Sequence, residues 1–163
     1  MALEHRLDTD SFAKKIYSDS IDEYIRMQHM SEISARDLST FPVAYFLPHH
    51  AVLKPDSTTT KLRVVFDASC ASTSGVSLNE ALMVGTVEED ITSITLRFRL
   101  RKYAMTADIE KMYGMIKMHP TDHPLQYIAW REDSTKPLRM FMLTTVTFGT
   151  VLGHALPEEI GGG

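Results

Sequence analysis

The segment around Asp108 is the part of the sequence that is most informative about chemistry. Asp108 stands where an apolar stretch, Tyr103 to Ala107, gives way to a helix-like segment, and Tyr113 follows five positions later. Taken alone, however, Asp108 is better explained as a helix cap that accepts a backbone N–H.

The residues elsewhere in the chain favour the chemical interpretation of Asp108. Lys61 and Arg63 lie upstream on a predicted hairpin, and Phe148 and Gly149 form a predicted turn downstream. These neighbours, together with the aromatic Tyr113, favour a chemical role for the Asp108 carboxylate over a helix cap alone.

The histidines give a weaker signal. His119 and His123 have the spacing of two metal ligands on a helix, but each is followed directly by a proline, which argues against a continuous helix. We therefore expect no zinc site there. For His49–His50, a neutral role in a loop is favoured over metal binding. The sequence has no glycine-rich phosphate-binding motif of the Walker or dinucleotide type.

Among the elements that must position these residues, the first is an amphipathic helix near the N-terminus. Thr9 or Asp10 can cap it, and it is expected to end near Met30. Its apolar residues recur at three- and four-residue spacings, namely Phe12, Ile16, Tyr17, Ile21, Tyr24 and Ile25. We expect this face to pack on the chain's own domain and not in the groove of a partner.

The rest of the chain alternates predicted strands and one further helix. Leu62–Phe66 is a predicted strand with alternate residues buried, and it forms a hairpin with Ala51–Lys54. A helix opens at Glu88, Glu89 and Asp90 and ends in cations between Arg97 and Lys102, a gradient that helix electrostatics explains better than a phosphate-binding patch. Further strands are predicted at Tyr103–Ala107, which should be buried, and at Leu125–Arg131 and Leu138–Val146, which flank a turn at 133–137. The pattern predicts an α+β fold with a mixed or antiparallel sheet and packed helices.

Composition excludes several classes of protein. The 163 residues are 44% hydrophobic, enough for a core, and the formal charge of -4 leaves no global basic field to hold nucleic acid. The single cysteine, Cys70, excludes an internal disulfide and a multi-cysteine zinc site. The sequence shows neither a signal peptide nor a membrane span, so we expect an intracellular, cytoplasmic protein with no membrane partner.

Four stretches of the chain resemble the reverse transcriptases of retroelements, most closely the Pao/BEL class of long-terminal-repeat retrotransposons. They are Tyr45–Lys54, Lys61–Ser69, Thr106–Tyr113 and Thr145–Thr150, in the order and at the spacing of that class. The resemblance implies the fold of a right-hand polymerase. In it, residues 41–150 would form the fingers and an incomplete palm, after an N-terminal helical segment at 1–40.

The resemblance also implies roles for individual residues. Asp108 matches a catalytic carboxylate that holds Mg²⁺, and the backbone carbonyl of Ile109 would be a further metal ligand. Arg63 matches the fingers arginine that pairs with the triphosphate of the incoming deoxynucleotide (dNTP). Lys61 and Lys54 are weaker candidates from the same hairpin.

Further dNTP contacts are implied on either side of the carboxylate. The backbone N–H groups of Lys111, Met112 and Tyr113 would face the triphosphate, as at a helix start. Tyr113 also matches the aromatic residue that excludes ribonucleotides, although a core tyrosine would fit the same position. Phe148 and Gly149 match the turn that packs against the nascent base pair.

The chain departs from the family in what it lacks. The family's second motif, an aromatic residue, a variable residue and two aspartates, is absent from the sequence, as are the thumb, connection and ribonuclease H regions. Residues 151–163 do not match the family, so we expect a truncated chain. Two hypotheses follow. The chain is either a fragment of an RNA-directed DNA polymerase that acts on an RNA/DNA template-primer with its missing palm, thumb or other polyprotein domains, or an inactive remnant with at most nucleic-acid or protein binding.

Overall fold

The computed structural model describes residues 2–38, 40–41, 43–54, 56–57, 61–82, 90–105, 107, 109, 111–147 and 149–150. The helices are α1 (Ala2–Asp8), α2 (Ser11–Arg26), α3 (Ala35–Leu38), α4 (Leu78–Ala81) and α5 (Ile91–Arg99). Two 3₁₀ helices span Met112–Met115 and Pro120–Gln126. The strands are β1 (Met30–Ile33), β2 (His49–Leu53), β3 (Leu62–Phe66), β4 (Tyr127–Trp130) and β5 (Arg139–Leu143).

The strands form two antiparallel sheets. One is three-stranded in the order β1-β5-β4, and the other is the hairpin of β2 and β3. In the larger sheet Met30 pairs with Leu143 and Tyr127 pairs with Met142. Helices and antiparallel sheets in one chain confirm the predicted α+β class at this level.

Helix α2 supplies much of the core, as its sequence predicts. The Asp10 carboxylate caps it by accepting the N–H of Ala13 at 3.0 Å, and Ala13, Tyr17 and Ile21 are buried. The prediction is wrong for Phe12, which lies in the first turn and is 61% exposed. The helix also ends earlier than expected, at Arg26.

A left-handed residue stops α2 and redirects the chain into β1. Gln28 has a φ of 60°, and the N–H of His29 reaches back to the carbonyl of Tyr24 at 2.9 Å. This pattern is the usual close of a helix with a left-handed residue just beyond its end. Met30, predicted as the end of a helix, is instead the first residue of an edge strand.

The predicted hairpin is confirmed. Val52 lies opposite Arg63, and β3 buries Leu62, Val64 and Phe66 while exposing Arg63. The loop predicted for His49 and His50 is wrong, because both residues belong to β2. The alternation of side chains along β3 therefore fixes which face meets α2 and which carries the cation.

His49 joins the two sheets to α2. Its Nε2–H donates to the carbonyl of Ala129 in β4 at 3.1 Å, so its Nδ1 accepts a hydrogen bond from the Tyr17 hydroxyl. The His49 ring also lies edge-on to Trp130, with centroids 6.2 Å apart. Both ring nitrogens are thus used by the uncharged imidazole.

The three other predicted strands have different outcomes. Tyr103 and Met105 are 81% and 93% exposed and lie in no strand, so the buried strand predicted at Tyr103–Ala107 is wrong for the residues that the structure describes there. An apolar run forms a strand only where a neighbour pairs with it, and none of the described strands does so. The strands predicted around the 133–137 turn are confirmed with shorter bounds, as β4 and β5.

Helix α5 is confirmed from Ile91 to Arg99, with Asp90 at its N-cap, but none of its residues is buried. Glu88 and Glu89 lie outside the described residues, as does the 151–163 tail. Within the described ranges, no helix is both long and apolar enough to cross a bilayer.

We expect acid to destabilise the fold through His49. Burial lowers the pKa of its imidazole below the ordinary value of 6.5. At pH values between the lowered pKa and about 6.5, His49 binds a proton in the unfolded chain but not in the folded one. The free energy of unfolding therefore falls as the pH drops through that range, by about 1.4 kcal/mol for each unit by which folding lowers the pKa. Urea unfolding at about pH 7.5 and about pH 5 measures the loss.

The variant His49→Gln should lose less stability than the wild type over the same pH range. His5→Gln is the matched control, because His5 is exposed on α1, and it should behave like the wild type. Equal losses in the wild type and in His49→Gln would contradict the assignment.

Candidate active site

The two residues central to the predicted site, Asp108 and Phe148, lie outside the described residues. Ile109, the predicted carbonyl ligand, is described and is 61% exposed. The candidate site is therefore known through the segments that border these residues, which are the hairpin, the turn that follows Asp108 and the turn that contains Gly149.

The hairpin presents its cations to solvent. Lys61 and Arg63 are both exposed, and the carbonyl of Lys61 accepts the N–H of Lys54 at 2.8 Å, which closes the hairpin. Arg63 precedes Phe66 by three positions, about 10 Å along the strand. Its side chain points away from the buried face of β3 and thus away from the core.

The turn after Asp108 is anchored to the C-terminal end of α2. Lys111 has a φ of 52°, in the left-handed region, and precedes the 3₁₀ helix Met112–Met115. Its ammonium donates to a carboxylate oxygen of Glu23 at 2.6 Å and lies 3.5 Å from the sulfur of Met27. The Lys111 side chain thus binds a residue 88 positions away in sequence, whereas the predicted triphosphate contact uses the backbone N–H of Lys111.

The same turn lies against His29. A Cβ atom at Gly114 would come within 2.6 Å of His29 Cε1, so the ring occupies the space that any larger residue would need. His29 also packs edge-on against Tyr24, with ring centroids 6.0 Å apart. Burial, and then the positive charge of Lys111, lower the pKa of the His29 imidazole, which favours its uncharged form at neutral pH.

The predicted turn downstream touches the end of β3. Gly149 has a φ of 97°, and a Cβ atom there would lie 2.3 Å from the carbonyl oxygen of Phe66. The Asn79 amide donates to the Gly149 carbonyl at 3.0 Å and to the Ser69 hydroxyl at 2.8 Å. Only glycine combines this backbone angle with this close approach.

Backbone pairing connects the two turns. The N–H of Met118 donates to the carbonyl of Thr144 at 3.0 Å, and the N–H of Val146 donates to the carbonyl of Ile116 at 2.9 Å. The segment that follows Lys111 thus runs beside the segment that precedes Gly149.

Buried Gln126 supports this pairing with its side-chain amide. Its Nε2 donates to the Thr145 carbonyl at 3.3 Å, and its Oε1 accepts the hydroxyl of Thr147 at 2.7 Å. The residues just before Phe148 are therefore fixed by polar contacts inside the fold.

Sequence reasoning missed the residues that hold these turns in place. Glu23, His29, Asn79 and Gly114 carry no motif, and their contacts span long sequence separations. The single signal in the sequence is glycine at position 114, which marks a position where another chain segment can approach closely.

The described residues do not by themselves make a magnesium site. Across the ranges that the structure describes, no three His, Cys, Asp or Glu side chains are grouped to hold a metal ion. Asp108 and Glu110 fall outside those ranges.

The two histidines considered as metal ligands are engaged separately. His119 Nδ1 lies 2.8 Å from the Thr121 hydroxyl, and His123 Nε2–H donates to the carbonyl of Met118 at 3.2 Å. His119 precedes the 3₁₀ helix Pro120–Gln126, and His123 lies on it. In a 3₁₀ helix, side chains four positions apart do not lie on one face as they do in an α-helix.

Comparison with known proteins adds no family assignment. No protein-family model matches the chain, and a search of curated proteins finds no significantly similar sequence.

The Gly149 contact predicts a large loss of stability for Gly149→Ala. The Cβ atom would clash with the carbonyl of Phe66, a backbone atom that cannot turn aside. Gly75→Ala is a matched control, because Gly75 has a similar φ of 82° and open space around its Cβ position. We expect Gly75→Ala to cost about 1–2 kcal/mol from backbone strain alone, and Gly149→Ala to cost more. Equal unfolding free energies for the two variants in urea would contradict the close approach.

Proposed function

We propose that this chain is a fragment of an RNA-directed DNA polymerase, formed by the fingers and part of the palm of a retrotransposon reverse transcriptase. The observation that carries the proposal is the placement of the four resembling stretches in the fold. The first two pair with each other, the fourth lies on the end of the second, and the third is tied to helix α2, which packs on the second.

The first two stretches, Tyr45–Lys54 and Lys61–Ser69, adjoin along their length. They contain the paired strands β2 and β3, and beyond the strands the N–H of Asp67 donates to the carbonyl of Pro48 at 2.8 Å. The hydroxyl of Tyr45 reaches the carbonyl of Cys70 at 2.7 Å, next to the second stretch. These contacts support a single hairpin unit that carries Lys61 and Arg63.

The fourth stretch meets the hairpin at its base, and the third stretch is linked to the hairpin through helix α2. Gly149 of the fourth stretch lies on the backbone of Phe66, and the segment that follows the third stretch pairs with Thr144–Val146. Lys111, in the third stretch, is tied to α2, which packs on the buried face of β3. Contacts that link all four stretches, directly or through α2, support their belonging to one site.

The proposal gives each part of the site a task. Asp108 and the Ile109 carbonyl would hold Mg²⁺, which when bound would activate the primer hydroxyl and neutralise charge on the triphosphate. Exposed Arg63 would pair with the triphosphate, with Lys61 beside it on the hairpin. The Lys111–Tyr113 backbone would face the same group, and Tyr113, with Phe148 and Gly149, would border the sugar and base.

The alternative is a catalytically inactive remnant of a retroelement that keeps at most nucleic-acid or protein binding. The absence of the double-aspartate motif from the sequence favours it for the chain as it stands. The two candidates share an ancestry and differ in chemistry, so incorporation and binding of nucleotide separate them.

The chain alone should not extend a primer. A two-metal site needs more carboxylates than Asp108 provides, because Mg²⁺ gives up its water reluctantly. The assay is extension of an oligo-dT primer on poly-A RNA with Mg²⁺ or Mn²⁺. Extension that disappears in Asp108→Asn would show that the chain is a complete enzyme and would overturn this expectation.

Nucleotide binding should depend on Arg63. Loss of a charge-assisted pair costs about 1.5–3 kcal/mol, so Arg63→Ala should weaken dTTP binding roughly ten- to a hundredfold. Binding of poly-A RNA should change much less. Arg6→Ala, an exposed arginine on α1, is the control and should leave dTTP binding unchanged. A chain that does not bind dTTP, or an Arg63→Ala variant that loses both ligands equally, would refute the assignment.

A further inference from the structure

The C-terminal end of α2 contacts the turn after Asp108 at two separate points. Glu23 binds the ammonium of Lys111, and the His29 ring fills the space beside Gly114. From this geometry we infer that Glu23 and His29 are positioning residues for the Lys111–Gly114 turn. The inference rests on the proposed function only for what the turn would bind.

The first contact is electrostatic. Carbonyl groups at the C-terminal end of a helix carry partial negative charge, and Lys111 lies at the end formed by Glu23 and Met27. The ammonium therefore meets a full negative charge from Glu23 and the helix dipole at the same place. Both attractions draw the residue three positions after Asp108 toward α2.

The second contact is steric. Gly114 leaves no gap between its backbone and the His29 ring, because a Cβ would approach the ring atoms Cε1, Nδ1 and Nε2 to 2.6, 2.9 and 3.3 Å. His29 cannot easily retreat. Its N–H is bonded to the Tyr24 carbonyl, its own carbonyl accepts the N–H of Thr144, and its ring rests on that of Tyr24.

The turn needs contacts from other parts of the chain because its own backbone conformation is unfavourable. Lys111 adopts left-handed angles, which cost free energy in a residue with a side chain. The helix that follows is a single 3₁₀ segment of four residues, too short to be stable alone. The Glu23 contact at Lys111 and the His29 contact at Gly114 support the two ends of this turn.

The exposed cations of the hairpin do not take part in this anchoring. Arg63 points away from the buried face of β3, whereas Glu23 and His29 lie at the end of the helix that packs on that face. The predicted triphosphate contacts thus fall into two groups with separate supports. The turn depends on α2, and Arg63 depends on the register of the hairpin.

Hydrogen exchange of the amides of residues 111–116 tests the inference in the full chain without nucleotide. Glu23→Gln should speed exchange there about two- to fivefold, the range expected for an exposed ion pair. Lys111→Gln should do the same, and the double variant should add nothing further, because both changes remove one interaction.

Glu32→Gln is the matched control. It breaks the Arg139–Glu32 pair, whose side chains are 47% and 50% exposed against 42% for each partner of the Lys111–Glu23 pair. It should leave exchange at 111–116 unchanged. Unchanged exchange in Glu23→Gln, an equal rise in Glu32→Gln, or additive effects in the double variant would overturn the electrostatic half of the inference.

The steric half has its own rescue test. Gly114→Ala should speed exchange of the turn more than Glu23→Gln does, and adding His29→Ala should return it to the level of His29→Ala alone. A failure of rescue would overturn this half. Since no nucleotide is used, a chain that fails to bind dTTP would refute the proposed function and leave this result standing.

Discussion

The side chain of Tyr24 joins the described segments of the candidate site, and their arrangement depends on its contacts. Its ring packs edge-on against Phe66 at 5.7 Å and against His29 at 6.0 Å. Aromatic pairs of this kind contribute about 0.5–1.5 kcal/mol each beyond the area they bury. His29 in turn contacts Gly114, and the backbone of Phe66 contacts Gly149. Tyr24 therefore contacts the hairpin directly through Phe66, and a single residue links it to each of the other two described segments. Burial raises the pKa of the Tyr24 phenol.

Local signals explain which parts of the fold could be predicted from the sequence. The cap at Asp10, the spacing of the apolar residues after it and the alternation in Leu62–Phe66 are all read within one element. The structure confirms the cap and the alternation, and it confirms the spacing except at Phe12. The edge strand at Met30–Ile33 exists because β5 pairs with it, and nothing within its own four residues marks it. Tyr103–Met105 shows the reverse, since none of the strands that the structure describes pairs with this apolar segment and it stays exposed.

In the candidate site, too, features set within one element could be predicted, and features set by contacts between distant segments could not. Arg63 could be placed on the exposed face of a strand, because alternation along the strand decides it. That Lys111 would bind Glu23, or that His29 would fill the space beside Gly114, depends on how α2 leaves the core after Gln28. The left-handed conformation of Gln28 could not be predicted from the sequence, because the residue at this position is not a glycine. The roles of Asp108 and Phe148 remain predictions, because neither residue lies in the described part of the chain.

The pairing of β1 with β5 also constrains how the protein is made. Met30 emerges from the ribosome more than a hundred residues before its partner, Leu143. At about 5–20 residues per second, translation leaves that strand unpaired for on the order of ten seconds. Helix α2 and the β2–β3 hairpin can form in that interval, because their contacts are local. The central strand of the three-stranded sheet is made after both of its neighbours, so β1 has neither edge paired until β5 is synthesised, and no other strand that the structure describes pairs with it afterwards.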